Sequence, residues 1–292
     1  MLRLPLDTRL LNAFLAVAET GSFTGAARAL HCVQSNVTQH VRALERELGA
    51  SLFERSRRGA VLTPAGEALI AHARAAAARL DQAVAAVRDA AGLAAPLRLG
   101  AMETTAAVRL PPLLAMLHQR CPDAPLSLAT GTTDELIAAV SAGDIDVGFV
   151  AGCPDGRTGL ASVEAFRERM VLVGPRGRTA GAAGAPLLAF RQGCAYRALA
   201  EQWLRMTGRA PVKIVEMGTL DGILACVASG LGIAILPDRA VRASAHASAL
   251  APTPLPDPLH EVRTYAIRRA EAAMTAPLAT LMDALDAIGD RS

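Results

Sequence analysis

The stretch "VQSNVTQHVRALEREL", Val33 to Leu48, places Gln34, Ser35, Asn36, Thr38 and Gln39 in quick succession, with Arg42 and Arg46 farther along. Amides, hydroxyls and guanidiniums in this arrangement suit hydrogen bonding to base edges: Gln and Asn pair bidentately with adenine, Arg with guanine, and Ser or Thr with several acceptors. Ser, Asn and Thr also weaken a helix by competing with its backbone, so a merely solvated front would more often hold Lys and Glu. A solvated helix of weak propensity is the other reading, and this segment alone does not separate the two. Arg55, Arg57 and Arg58 form a second set, with only Glu54 beside them. They suit phosphate contacts that position a protein without reading sequence, although an arginine run by itself is more often a solvated turn. A third set lies at Thr104-Thr105, Thr132-Thr133 and the Gly193-Cys194 turn before Tyr196. Hydroxyls and helix starts of this kind bind small, often anionic, molecules. Helix capping explains the threonines about as well.

These groups must be held by particular elements. Val33, Val37, Val41, Leu44 and Leu48 recur at spacings of four, four, three and four, which predicts one buried helix face with Ser35, Gln39, Arg42 and Arg46 opposite. Upstream, "GSFTGAARAL" predicts a short helix capped by Ser22 that buries Ala26, Ala27 and Leu30. His31 to Val33 then form a connection of helix-turn-helix length. "ASLFERSRRGAVLTPAG" predicts a two-stranded wing carrying the three arginines. From Thr63 as N-cap, with Pro64 at the first position and Glu67 in the first turns, a helix of about 28 residues is expected. Its seam of Leu69, Ala73, Ala76, Leu80, Ala83 or Val84, Val87 and Ala91 lies close to a heptad step. Such a seam exposes apolar surface in a monomer, so pairing with a second copy is expected. From Leu97 the pattern changes to α/β: "PLRLGA", "PLSLAT", "IDVGFVA", "RMVLVG", "PLLAF", "VKIVEM", "IAILP" and "RTYAIR" read as strands with helices between most of them. Thr132 and Glu135 stand at capping-box spacing.

In combination these features resemble the LysR-type transcriptional regulators. Carrying the resemblance are Phe14, Ala18, Gly21-Ser22-Phe23, Ala26-Ala27, Leu30, Gln34-Ser35-Asn36-Val37-Thr38, Leu44-Glu45, Leu48-Gly49, Leu52-Phe53, Arg55 and Leu62-Thr63-Pro64-Ala65-Gly66. "METTAAVRLPPLL", "TGTTDELI", "DVGFVAG" and "DGILACVASGLGIAILP" extend it across most of residues 97–237. The resemblance implies an α/β chain in parts: a winged helix-turn-helix DNA-binding domain over 1–62, a linker (dimerisation) helix over 63–92, and a two-lobed, periplasmic-binding-protein-like (type 2) effector domain. Lobe I would take 93–165 plus 265–292 and lobe II 166–264, with two crossings as hinge. DNA contact is expected from Ser22, Thr24, Gln34, Ser35, Asn36, Thr38, Gln39, Arg42, Arg55, Arg57 and Arg58. Effector contact is expected between the lobes from Thr104, Thr105, Thr132, Thr133, Phe149, Gly193, Cys194, Tyr196 and Met217. The implied partners are promoter operator DNA, a small-molecule effector with a carboxylate favoured, further copies of the chain as homodimer and homotetramer, and RNA polymerase.

Composition agrees with this expectation. The chain has 292 residues and is 52% hydrophobic, which leaves room for two or three domains with ample cores. Net charge is +3. The excess lies in residues 1–92, where eleven Arg face eight acids, whereas residues 93–292 balance at nineteen each. Binding to DNA should therefore rest on placed arginines and multiple copies more than on bulk charge. No membrane span or export signal is expected, which predicts a cytoplasmic protein. Cys32, Cys121, Cys153, Cys194 and Cys226 are scattered, so neither disulfides nor a metal is expected. An exported solute-binding protein would share the two lobes but has no use for a winged helix. An enzyme is the weakest reading, because no GxSxG, HExxH or P-loop is present and the six histidines are dispersed. No cofactor is expected.

Overall fold

The structure, a computed structural model, describes residues 7–56, 59–152, 159–177, 184–208 and 213–289. The chain divides into two compact units, one ending at Val84 and one beginning at Ala85.

In the first unit, α1 (Thr8–Thr20), α2 (Phe23–Ala29) and α3 (Gln34–Leu48) precede a hairpin of β1 (Phe53–Ser56) and β2 (Gly59–Leu62), and α4 (Pro64–Ala90) follows. Asp7 and Ser22 cap α1 and α2 by accepting from the Arg9 and Gly25 N–H groups, and Thr63 accepts from the Gly66 N–H at the head of α4. Phe14, Val17, Ala26, Val37, Val41 and Leu44 close the core, with Phe53 packed on Phe14 and Phe23. Two contacts fix the wing. The Glu45 carboxylate accepts from the Leu52 N–H at 2.8 Å, and the Ala60 N–H donates to the Gly21 carbonyl. Gly59, at φ 127°, faces that same carbonyl so closely that a Cβ would lie 2.4 Å from it, leaving room for glycine alone. The predicted buried face of α3 holds only at its centre: Val33, 62% exposed, and Leu48 lie at the helix ends beyond the core, and Leu30 at the end of α2 is likewise exposed. Along α4, Ala73 joins the core while Leu80, Val84 and Val87 stand exposed, the last at 69%.

The second unit contains β3 (Leu97–Ala101), α5 (Glu103–Val108), α6 (Leu110–Arg120), β4 (Leu126–Thr130), α7 (Thr133–Ala142), β5 (Val147–Ala151) and β6 (Leu160–Pro175). There follow β7 (Leu187–Ala189), α8 (Ala195–Met206), β8 (Ile214–Glu216), α9 (Leu220–Ala228), β9 (Ala234–Pro237), α10 (Asp238–Ala243), β10 (Leu250–Pro254), β11 (Glu261–Arg269) and α11 (Ala276–Gly289). The main sheet runs β10-β6-β11-β5-β3-β4, with β9 also on β6. β3 is parallel to β4 and β5, and β11 is antiparallel to β5 and β6. A separate parallel pair joins β7 and β8.

β6 differs most from expectation. Only "RMVLVG" reads as a strand in sequence, yet β6 extends over sixteen residues. Its first part, Leu160–Arg169, pairs with β11, and its last, Met170–Pro175, with β9 or β10. The early residues "LASVEAFRER" are polar and mixed because part of that strand faces solvent, which hides the signal. β10, with two prolines in five residues, also carries no strand signature. Two cores result. One packs α6 and α11 on the sheet through Leu110, Leu117, Phe149, Phe166 and Leu281. The other gathers Trp203, Leu224, Ile235 and Val241.

Burial separates two substitutions of similar chemistry on α3. Leu44→Ala, at a fully buried site, should lower unfolding free energy by about 2–5 kcal/mol. Val33→Ala should change it by no more than about 0.5 kcal/mol. Denaturant titration of both variants followed by circular dichroism checks the difference.

Candidate functional site

Two surfaces carry the chemistry. On α3, Val37, Val41 and Leu44 are buried, while Gln34, Ser35, Asn36, Gln39 and Arg42 are exposed and Thr38 is half-buried. Val33 opens the helix without a side-chain cap. The amide and hydroxyl groups of the first turns thus face outward as one polar front. Thr24 is exposed nearby in sequence on α2, whereas Ser22 is half-buried and committed to capping that helix at 2.9 Å. Arg55 lies in β1, paired with Ala60. Its side chain, and Arg57 and Arg58 altogether, fall outside the described residues.

The second surface is a cleft of about 280 Å³ in the unit beginning at Ala85. Four strands deliver four helix starts toward it: β3 leads into α5, β4 into α7, β7 into α8 and β8 into α9. Carboxyl ends of strands are where open α/β sheets bind ligands. Thr104, Thr132, Cys194, Tyr196 and Met217 meet on its wall, as expected from their positions at these starts. The remaining predicted residues do not line it. Thr133 and Gly193 border an adjoining groove with Asp134 and Arg197. Thr105 is buried beside Thr104. Phe149 is a correction: strand alternation turns its ring into the α6–α11 core, stacked on Phe166 at 6.1 Å and fully buried.

Sequence reasoning did not assign Met102, Glu103, Thr130, Gly131, Phe190, Arg191 or Gly218 to the cleft, although all line it. Most sit one or two residues from an assigned position. Extending the strand-end rule to whole loops would have found them.

The floor of the cleft is polar and unsatisfied. Thr104 and Tyr196 are each 2% exposed; the Tyr196 phenol has weak contacts with the Thr104 and Thr264 hydroxyls, and neither Thr104 nor Tyr196 has a well-formed hydrogen bond. Thr105 and Thr264 are in the same condition. Burial pushes the Tyr196 phenol well above its ordinary range, reinforced by the Glu168 charge, so it stays a neutral donor. Glu168 itself is buried and bonded to the Arg109 guanidinium at 2.6 Å. Burial also raises the Cys194 thiol, against smaller opposing effects of the Arg197 and Tyr196 N–H groups. The thiol is therefore protonated near neutral pH, which disfavours nucleophilic or redox chemistry there.

Contacts cross the cleft. Leu220 N–H, at the start of α9, donates to Glu103 Oε2 at 2.6 Å. Arg191 Nη2 donates to Glu135 Oε2 at 2.5 Å, and that same oxygen completes the α7 capping box by accepting from Thr132 N–H. Gly193, at φ 86°, comes close enough to Thr132 that a Cβ would meet its hydroxyl at 3.2 Å. Three converging helix starts had promised several free N–H donors. The capping box at α7 already takes some of them, while α5 and α8 start without a side-chain cap. Among the described residues no cluster of metal-ligating groups is present, and no helix is long and apolar enough to cross a membrane.

Comparison with known proteins agrees with this architecture. Residues 8–67 match the model of the bacterial regulatory helix-turn-helix protein of the lysR family, and residues 90–288 match the LysR substrate binding domain. The uncharacterized HTH-type transcriptional regulator YusT of Bacillus subtilis is 38% identical over 94% of this chain and 93% of its own. The HTH-type transcriptional regulator GltR of the same organism is 34% identical over 95% of each. Among solved structures, a variant of full-length OxyR from Pseudomonas aeruginosa superimposes with a TM-score of 0.69 at 27% identity, covering 96% of this chain and 97% of the other. Full-length CbnR in complex with its target DNA gives 0.67 at 26% identity, covering 97% and 99%. A helix-turn-helix with an outward polar front, a wing, a long helix and a two-core α/β unit with a cleft place the chain in the LysR family of transcriptional regulators, DNA-binding proteins without enzymatic activity.

Proposed function

We propose that the front of α3 reads operator bases in promoter DNA, that the wing grips phosphate, and that a small-molecule effector enters the 280 Å³ cleft. The lobes flanking it would be 93–165 with 265–292, and 166–264, with β6 and β11 as the two crossings between them. The observation carrying the effector reading is the pair of buried hydroxyls of Thr104 and Tyr196, on the cleft wall, which have only weak contacts with each other and with Thr264 and no well-formed hydrogen bond, since such groups ordinarily find a full partner. The effector is a small carboxylate, with α8's uncapped start and Arg191 on its side of the cleft. Base reading draws support from the segregation of Gln34, Ser35, Asn36 and Gln39 from the buried Val37–Val41–Leu44 face.

The chain acts in the cytoplasm as a homodimer joined through α4, whose Leu80, Val84 and Val87 are exposed, and two dimers form a tetramer on adjacent half-sites, where they meet RNA polymerase. Effector binding shifts the assembly only if it favours one quaternary arrangement over another.

Gln34→Ala, Ser35→Ala and Gln39→Ala should each cost roughly 1–3 kcal/mol on a site selected from random duplex, with little change on non-specific DNA. Equal losses on both, measured by fluorescence anisotropy, would defeat base reading. Val84→Asp places a charge in the expected helix seam, and sedimentation should show the dimer dissociating at concentrations where the wild type stays paired; an unchanged mass moves the dimer contact elsewhere. Thr104→Val keeps side-chain shape and deletes a hydroxyl, which should weaken the effector response by roughly 1–3 kcal/mol. Melting temperature measured alongside tells a lost contact from a lost fold, and wild-type response in a folded variant would move the effector site.

A further inference from the structure

Glu103 is the first residue of α5 and lies on the cleft wall. It is half-buried, and one carboxylate oxygen takes the Leu220 N–H. The charge that acts on it is another acid, Asp221, which is itself paired with His246 at 3.2 Å. Among the described residues no Lys, Arg or His pairs with Glu103, and Arg191 on the same wall is engaged by Glu135. Burial raises the Glu103 pKa, with Asp221 adding to the rise and the Leu220 N–H opposing it. A carboxylate withdrawn from water, facing a like charge and lacking a cation, is costly unless something else in the site neutralises it.

That something can be a ligand, because Thr104 and Tyr196 line the same wall, both more than nine-tenths buried, and their hydroxyls have only weak contacts with each other and with Thr264 and no well-formed hydrogen bond. Thr104 follows Glu103 directly in sequence. The cleft, at about 280 Å³, is slightly smaller than the roughly 300–1,000 Å³ typical of drug-sized ligand sites, so it suits a metabolite of few heavy atoms. Met102, Phe190 and Met217 supply an apolar lining for its carbon skeleton.

We infer that the cleft takes a small amino-bearing carboxylate, an amino acid in chemical class, whose ammonium group pairs with Glu103 while its other polar groups reach the Thr104 and Tyr196 hydroxyls. This rests on the reading of the cleft as the effector site. Glu103 thereby selects against the simple carboxylates that the helix starts alone would accept, since these leave its charge unpaired.

The probes are the common amino acids and their 2-hydroxy counterparts, which keep the carboxylate and replace only the amine with a hydroxyl of similar size. Each is screened by thermal shift and then titrated calorimetrically, at up to millimolar concentration, against the full-length chain, Glu103→Gln and Thr104→Val. Glu103→Gln keeps an acceptor for the Leu220 N–H and removes the charge. At least one amino acid should bind, its hydroxy counterpart should bind about tenfold or more weakly, and Glu103→Gln and Thr104→Val should each weaken the amino acid by a similar factor. Binding of a hydroxy acid as tight as its amino acid, weakened by Thr104→Val but not by Glu103→Gln, overturns the amine assignment and leaves the cleft as the site. Amino-acid binding untouched by either substitution overturns both readings. Failure of every amino acid to bind overturns the inference.

Discussion

Nine residues of β11 pair with β6, whose Phe166 lies in one core and whose Met170 lies in the other, and the geometry of the C-terminal unit depends on that ladder. β6 changes partners along its length, from β11 to β9 and β10, so a single strand serves both sets of partners. The register shifts between Thr264 and Tyr265, leaving one extra residue on β6, and a bulge of this kind bends and twists the strand locally. Thr264 at that shift and Glu168 on the facing strand are both buried, and both act on the Tyr196 phenol. Glu168 bonds to Arg109, whose guanidinium also lies over the Phe166 ring at 5.2 Å. Removing the arginine would strand a buried charge, which typically costs about 3–5 kcal/mol. The strand shared by the two cores is therefore also the strand that acts on Tyr196 in the cleft.

Ties across the cleft are of a different order. The Arg191–Glu135 pair is more than half exposed on both sides, and pairs of this kind contribute about 0–1 kcal/mol and weaken with salt. Glu103 and the α9 start make a single charge-assisted hydrogen bond.

In the N-terminal unit, burial plays the corresponding part. Val37, Val41 and Leu44 bind α3 to α1 and α2, which leaves the polar residues of its first turns free of any structural duty except solvation. Glu45 holds the far end of the same helix to the wing through the Leu52 N–H. A rigid scaffold presenting adaptable hydrogen-bonding groups is what base recognition requires.

Local patterns carried the helices and caps of the first unit and most elements of the second: the 3.6-residue period of α3, Ser22 and Thr63 as caps, the Thr132–Glu135 capping box and the alternation of apolar strand runs with helices are short-range effects that each segment carries within itself. Five of the nine residues assigned to the cleft line it, because a strand end and a helix start are legible locally. Only tertiary structure decided the rest. Phe149 lies on the core side because pleat phase relative to α11 and Phe166 settles which face of β5 is covered. The early half of β6 is a strand because β11 pairs with it, not because its own residues ask to be one. Arg191 and Glu135 meet although fifty-six positions separate them, and Glu103 reaches Leu220 across one hundred and seventeen. Long-range pairs of this kind leave no periodicity in a single sequence, since their energy depends on where the chain returns in space and not on what precedes or follows each residue.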